Sequence, residues 1–485
     1  AYPELEENFP RILRSALSEE TGFARTLETG TLVLEQAIAE ADGILSGATA
    51  FELHDTYGFP IDLTVEIAGE SGLEVDRVGF AELMDQQKNR AKQDAKDKKM
   101  GGGSLQVYSE VRAKGETLFT GYDSLEAVAT VIGLVRDGVS VSTLSQGQIG
   151  EVFLNSTSLY GESGGQAADA GVITGDGFTL DVLDVQKPVK GLFAHKVKVS
   201  FGEVAVNSAA RTIVDADWRL GACQSHSATH VVHAAIRQVL GPQALQSGSF
   251  NKPGYMRLDF AWGESLSETT KSEIEEVSNL AIRSDMSVTA DFMTVAAAKE
   301  FGAIALFGET YDEQVRVVQV GGPWSRELCG GTHVSRTAQI GLVSLVSEAS
   351  VGSGSRRIEA LVGMEALTSL QAERDLVRRL SLQLKAPASD VEARVTESLA
   401  ELKASSKVVS DMEMAKLQTQ IPTLATSATS VNGIDLLALE VDTSDSDQLR
   451  ALAMGLKAHL GAASIVILGS KASGSGVVIA VAGSA

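Results

Sequence analysis

Residues 226–233 read HSATHVVH, and residues 327–334 read ELCGGTHV. His226 and His230 are four apart, so a helix here places both imidazoles on one face, where a single cation can reach them. His233 extends the same stripe. In the second stretch two glycines between Cys329 and His333 make a tight turn that lets a thiolate and an imidazole converge. Together His226, His230, Cys329 and His333 form a set of three imidazoles and one thiolate suited to zinc. A plainer reading stands beside it: capped core histidines and a Cys329 buried as a small hydrophobe. His233 and Cys223 read as packing residues, and His54, His195 and His459 as isolated.

The chain around these motifs alternates helix and strand. A helix is expected over 226–240, a strand over 255–260, and a second helix opening with a capping box from Ser265 to Glu268. A third helix runs from Thr294 to Gly302, and strands follow over 315–320 and 341–347. Upstream, AVATVIGLV (127–135), GEVFLNST (150–157) and LFAHKVKVSFG (192–202) are β-branched runs separated by glycine turns, which predicts a mostly antiparallel β-unit. Residues 9–99 carry the helical period, interrupted by DTYGFPIDLT (55–64), and Gly101–Gly103 mark a boundary. Downstream, 366–417 lacks glycine and spaces Leu370, Val377, Leu380, Leu384, Val391, Val395, Leu399 and Leu402 three to four or seven apart, with Pro387 splitting the run into a helical hairpin. The last residues predict a β-α-β-β unit. The fold class is therefore multidomain α+β, with a helical N-terminal region, a β-barrel-like subdomain, an α+β zinc-binding core, a helical hairpin linker and a small C-terminal α/β unit. The expected divisions are 1–100, 104–204, 205–365, 366–425 and 431–485. Both ends, an opening that reads as the inside of a helical region and a close on a strand, are expected to be internal to something longer.

With 63 acidic against 41 basic residues, a net charge of −22 excludes indiscriminate binding to nucleic acid. Any RNA contact has to be local. Two cysteines in 485 residues are too few for a disulfide scaffold, and no apolar run reaches membrane-helix length, so a cytoplasmic, non-membrane protein is expected. The segment TSLYGESGGQ (157–166) lets the backbone approach a ligand through its glycines, and Gln166 offers both a donor and an acceptor. In GSGSRRIEA (352–360), Arg356 and Arg357 meet RNA phosphates or pair with Glu359.

Taken in order, HDTYGFPIDLT, YGESGGQ, HSATH, ALFGETYDEQVRVV, ELCGGTHV and SRRIEALVG resemble the alanyl-tRNA synthetases over essentially the whole chain. The resemblance implies that residues 1–100 end the tRNA-recognition region, that 105–365 form an editing domain, and that the rest is a helical linker with part of a C-terminal domain. It also implies zinc on His226, His230, Cys329 and His333. The implied partner is tRNA(Ala), through its acceptor stem and 3′ end, with Asp55, Arg356 and Arg357 as tRNA-binding candidates and the C-terminal region as a candidate homo-oligomer surface. Thr157 and Gln166 are the implied catalytic residues, Thr157 bonding a serine hydroxyl and Gln166 placing the ester, so that Ser-tRNA(Ala) and Gly-tRNA(Ala) are hydrolysed.

Two departures stand out. Ser158 and Leu159 replace the family's usual proline and phenylalanine, and His54 stands where tyrosine is usual. The class II signature motifs are not found, so the chain is expected to lack the aminoacylation core, with ATP and Mg2+ needed only by that missing part. The competing expectations are a free-standing editing hydrolase, a non-catalytic tRNA-binding or oligomerisation module with structural zinc, and a zinc hydrolase of unrelated substrate, the last disfavoured because HxxxH lacks the glutamate of HExxH.

Overall fold

Burial alternates along residues 126–136 and 178–186, as it must where a strand turns one face to a core and the other to water. In the computed structural model, which describes residues 5–6, 9–41, 43–99, 105–304, 312–352, 354–441, 446–472 and 475–482, these strands belong to a closed barrel. Its six long strands are β1 (Glu126–Arg136), β2 (Ile149–Leu154), β3 (Gly171–Gly175), β4 (Phe178–Val189), β5 (Leu192–Ala205) and β6 (Ala209–Val214). They pair antiparallel in the ring β4-β3-β6-β1-β2-β5, and β5 returns to β4. Closure leaves none of the six as a free edge. Val131, Leu134, Leu154, Ile173, Leu180 and Val197 fill the interior.

The barrel leads directly into α1 (Ala216–Leu240), the helix bearing the first motif. Asp215 caps it, accepting from the backbone N–H groups of Asp217 and Trp218 at 3.0 and 2.9 Å, and Gly241 (φ 111°) ends it. From Ser225 to Ile236 every residue of α1 is buried. A buried helix is apolar all round unless polar side chains meet partners. Its three histidines therefore have to be partnered inside the protein. Helix α1 and helix α2 (Glu268–Arg283) pack on an antiparallel sheet of β7 (Gln246–Lys252), β8 (Tyr255–Ala261), β12 (Val343–Gly352) and β13 (Ser355–Val362), in the order β7-β8-β13-β12. A second sheet, β9 (Val288–Thr294), β10 (Gln314–Val320) and β11 (Ser325–Leu328), carries the second motif out of β11.

One helix start differs from expectation. The cap of α2 is Ser267, whose hydroxyl accepts from the Thr270 N–H at 3.1 Å, and Ser265 accepts from Arg356 Nη2 instead. Leu266 is buried in the core just before the cap, which fixes the entry point two residues later than the Ser265–Glu268 box.

The helical N-terminal region runs through Phe9–Glu40, Gly47–Asp55, Ile61–Glu70 and Arg77–Lys99, around a core of Leu34, Leu45, Leu53 and Phe59. Gly30 is required there: a Cβ at that position would lie 2.1 Å from the Phe59 ring. The linker triplet Gly101–Gly103 and residues 305–311 of the ALFGETY motif lie outside the described residues.

The chain divides into two compact units, residues 1–370 and 371–485. In the second, strands Thr429–Val431, Ile434–Glu440, Ser464–Ala472 and Ser475–Ala482 form one sheet in sequence order, its central pair parallel and joined by the helix Ser446–Leu460. Helices Met364–Leu384 and Val391–Thr419 flank Pro387, as expected. Leu370, Val377, Val395, Leu399 and Leu402, assigned by spacing to a packed hairpin seam, are instead exposed.

Candidate metal centre

Helix α1 supplies His226 and His230, and the turn after β11 supplies Cys329 and His333. One ligand-type atom from each lies within 4.8 Å of all the others. Cys329 Sγ is 3.4 Å from His226 Nε2 and 3.3 Å from His333 Nε2. A tetrahedral ion with bonds of about 2.0–2.3 Å needs ligand atoms about 3.4–3.8 Å apart, so only a small contraction separates this geometry from a closed shell. Gly331 makes the approach possible, since a Cβ there would sit 2.0 Å from His226 Cε1.

Each histidine is oriented from behind. His226 Nδ1 donates to Gln166 Oε1 at 2.8 Å; that atom also accepts from the Thr332 backbone N–H, which identifies it as the amide oxygen. His230 Nδ1 donates to Glu327 Oε2 at 3.0 Å, and His333 Nδ1 meets Ser227 Oγ at 3.2 Å. All three rings therefore turn Nε2 inward. The His230 Nε2 is buried with no hydrogen-bond partner, which a native interior tolerates poorly unless an ion or water occupies the space. Electrostatics agree. Burial opposes charge at His230, but the Glu327 carboxylate and the Cys329 sulfur reverse it and push its pKa up to about 10. Burial also opposes ionising Cys329, yet the His226 and His333 rings hold the thiol well below its usual range, giving the thiolate a metal needs. The residues fit a metal ion.

No pattern in the sequence singles out Glu327, although strand period two puts it on the same side as Cys329. It bridges His230 and His233, whose Nδ1 lies 3.0 Å from its Oε1, while His233 Nε2 accepts from the Gln246 N–H. Glu327→Gln is expected to weaken metal binding about 10- to 100-fold, the usual scale for an outer partner of a ligating histidine, as read by chelator competition. Unchanged affinity would remove Glu327 from the centre.

A cavity of about 450 Å³ opens beside the ligands, lined by Thr229, Gln246, Ser249, Arg316 and Gly330 together with His226, His230 and Cys329. Thr229, itself buried, donates to the Ser225 carbonyl at 2.9 Å. Thr157 and Gln166 do not line it; both are fully buried. Burial lowers the His195 pKa to about 4, so the ring is neutral; its Nδ1 donates to the Val152 carbonyl, and Nε2 accepts the Thr157 hydroxyl proton at 2.9 Å. The remaining candidates lie apart from the cavity. Asp55 accepts from Gln87, Arg356 pairs with Glu348, and Arg357 makes two bonds to Asp259 at 2.7 and 2.8 Å, so neither arginine pairs with Glu359.

Residues 1–218 match the family model for class II (A) tRNA synthetases, and residues 315–359 match that for the threonyl and alanyl tRNA synthetase second additional domain. The chain is 52% identical over 472 residues to the alanine–tRNA ligase of Clavibacter sepedonicus, covering 96% of this chain and 53% of that protein. It is 51% identical to that of Leifsonia xyli, covering 99% and 55%, and 46% identical to that of Nocardia farcinica, covering 97% and 54%. The chain belongs to the alanyl-tRNA synthetase family. It spans about half the length of the curated alanine–tRNA ligases it matches. The class II match corrects one expectation. Residues 1–218, the helical region and the barrel, fall under the class II synthetase model, which overturns the view that this alanyl-tRNA synthetase chain carries nothing of the aminoacylation core and that ATP and Mg2+ concern only a missing part. Short signature motifs occupy few positions, whereas a family model weighs every position of a long segment.

Proposed function

We propose that the metal-lined cavity is a hydrolytic editing site that releases serine or glycine wrongly attached to tRNA(Ala), within a protein that charges tRNA(Ala) with alanine using ATP and Mg2+. The observation that supports this reading is a thiolate-imidazole cluster opening on a cavity that Thr229 also lines. A pocket for alanine discriminates weakly, by about 1–3 kcal/mol, against glycine, one methyl smaller, or serine, one hydroxyl larger. A second, hydrolytic selection is then required.

In this reading the 3′ end of tRNA enters the cavity, and the serine hydroxyl donates to Thr229 Oγ1, which alanine cannot do. Gln246 and Ser249 flank the ester, and the buried rear wall keeps bulk water to one side. Zinc suits a donor set of three nitrogens and one sulfur; because four protein ligands fill its tetrahedral shell, it would supply a Lewis acid or a water of lowered pKa only with one ligand displaced, and with all four in place would position the RNA end. His226, His230, Cys329 and His333 hold it, and Gln166 and Thr157 support the wall from behind. Such a protein works in the cytoplasm, where thiols remain reduced.

The test is deacylation of serine-charged and alanine-charged tRNA(Ala) by this chain, with and without a chelator. Selective release of serine that the chelator suppresses is expected, with Thr229→Val narrowing the serine-to-alanine ratio about tenfold or more. Tight tRNA binding with no release under any metal condition would instead establish a binding module.

A further inference from the structure

All four candidate ligands come from the α+β core, but two of the groups that hold them in place, Gln166 and Tyr122, come from the barrel side of the chain. The loop that joins β2 to β3 runs against β7: the Asn251 N–H donates to the Gly165 carbonyl at 2.7 Å, and the Ala167 N–H donates to the Asn251 carbonyl at 2.9 Å. Gly165 (φ 80°) permits this, since a Cβ there would lie 2.5 Å from the Ser249 carbonyl oxygen. Between these two main-chain bonds the Gln166 side chain, fully buried, accepts from His226 Nδ1 and the Thr332 N–H and donates to Thr332 Oγ1, each at 2.8 Å.

A second contact reaches the same turn. Tyr122, in the turn before β1, donates to the Gly330 carbonyl at 2.8 Å, and its ring lies 4.3 Å from the Arg316 guanidinium. Arg316 Nη1 in turn donates to the carbonyls of Cys329 and Gly331 at 3.1 and 2.8 Å. Three successive carbonyls of the ligand turn and the following N–H are thus engaged by Tyr122, Arg316 and Gln166.

We propose that Gln166 and Tyr122 are positioning residues that couple docking of the barrel loop to metal occupancy, so that the centre is fully formed only when the loop is seated on β7. The coupling rests on the reading of His226, His230, Cys329 and His333 as a metal site, but not on any hydrolytic activity. Linkage makes it reciprocal: whatever factor docking contributes to metal affinity, metal contributes to docking.

The experiment uses the whole chain and zinc itself. Chelator competition measures zinc affinity for the unmodified chain, Gln166→Met, Gln166→Glu and Tyr122→Phe. Hydrogen exchange of Ala167 and Asn251 is followed in the unmodified chain with and without zinc, and Co2+ absorption reports the ligand geometry. Gln166→Met is expected to bind zinc about 10- to 100-fold more weakly with a shifted Co2+ spectrum, Tyr122→Phe to weaken binding in the same direction, and Gln166→Glu, which keeps an acceptor for His226, to restore affinity. Zinc is expected to slow exchange at both amides by at least tenfold. Zinc affinity in Gln166→Met equal to that of the unmodified chain, or exchange indifferent to zinc, overturns the coupling while leaving the metal site standing. Absence of zinc binding by the unmodified chain overturns both.

Discussion

Replacing Cys329 with alanine is expected to weaken zinc binding by more than the roughly 100-fold that bounds loss of an outer partner, and to reduce selective release of serine from tRNA(Ala) to background. The reason is charge as well as geometry. Cys329 is the only thiolate of the set, and its sulfur lies 3.3–3.4 Å from two of the imidazole nitrogens. Without it, three imidazoles and no anionic ligand are left to face a dication in a buried site. Chelator competition and the deacylation assay measure the two effects separately. The same substitution has a stability signature. A ligand that binds only the folded state at 1,000 times its Kd stabilises it by about 4 kcal/mol, so zinc should raise the unfolding midpoint of the unmodified chain and leave that of Cys329→Ala unchanged. Full zinc affinity in Cys329→Ala would remove this residue from the ligand set.

Arg219→Met is expected to destabilise the first unit by about 3–5 kcal/mol, the scale for breaking a buried ion pair from one side. Arg219 rises from the first turns of α1, and its buried guanidinium reaches the carboxylate of Asp169, the Gly121 carbonyl at 2.6 Å and the Ser158 carbonyl at 2.8 Å. Asp169 also accepts from the Tyr160 N–H at 2.7 Å. One side chain of the metal-bearing helix therefore fastens three points on the barrel side. Removing it leaves a buried carboxylate without its cation. All three tryptophans, Trp218, Trp262 and Trp324, lie in the α+β core, so urea unfolding followed by their fluorescence reads this unit, with a midpoint shift of about 1–2 M. The double variant Arg219→Met with Asp169→Asn should recover much of the loss, because no charge then stays buried alone. A single variant as stable as the unmodified chain would show the pair to be solvated.

Short-range order is legible in the chain itself. The helix under His226 and His230 and the β-branched runs between glycine turns follow from the helical and strand periods, although the helix starts at Ala216, ten residues before the expected 226, and the two glycines of CGGTH lie in a turn. The cap of α2 falls at Ser267, two residues after the Ser265 of the expected capping box, because the competing signal, burial of Leu266, is a tertiary contact. The seam of Leu370, Val377 and Val395 shows the converse. Spacing reports that a helix has an apolar face, but not whether a partner covers it.

Within the site, the four candidate ligands could be named from sequence, and so could Gln166, but not its place behind His226, and nothing pointed to Glu327. Glu327 reaches His233 across 94 positions and Gln166 reaches Thr332 across 166. Gln166 and Thr157, read from their motif as groups facing a ligand, are fully buried and do not line the cavity, whereas Thr229 on α1 does line it. A motif records which donors and acceptors are present; which of them meets a ligand depends on how two packed surfaces divide a segment between them. The sequence by itself determined the helix and strand periods and the donor chemistry of the cluster, since both are properties of neighbours along the chain. Closure of the barrel, the orphaned Nε2 of His230 and the convergence of α1 with the turn after β11 were decided only by tertiary structure, because each is a contact between segments that no local period relates.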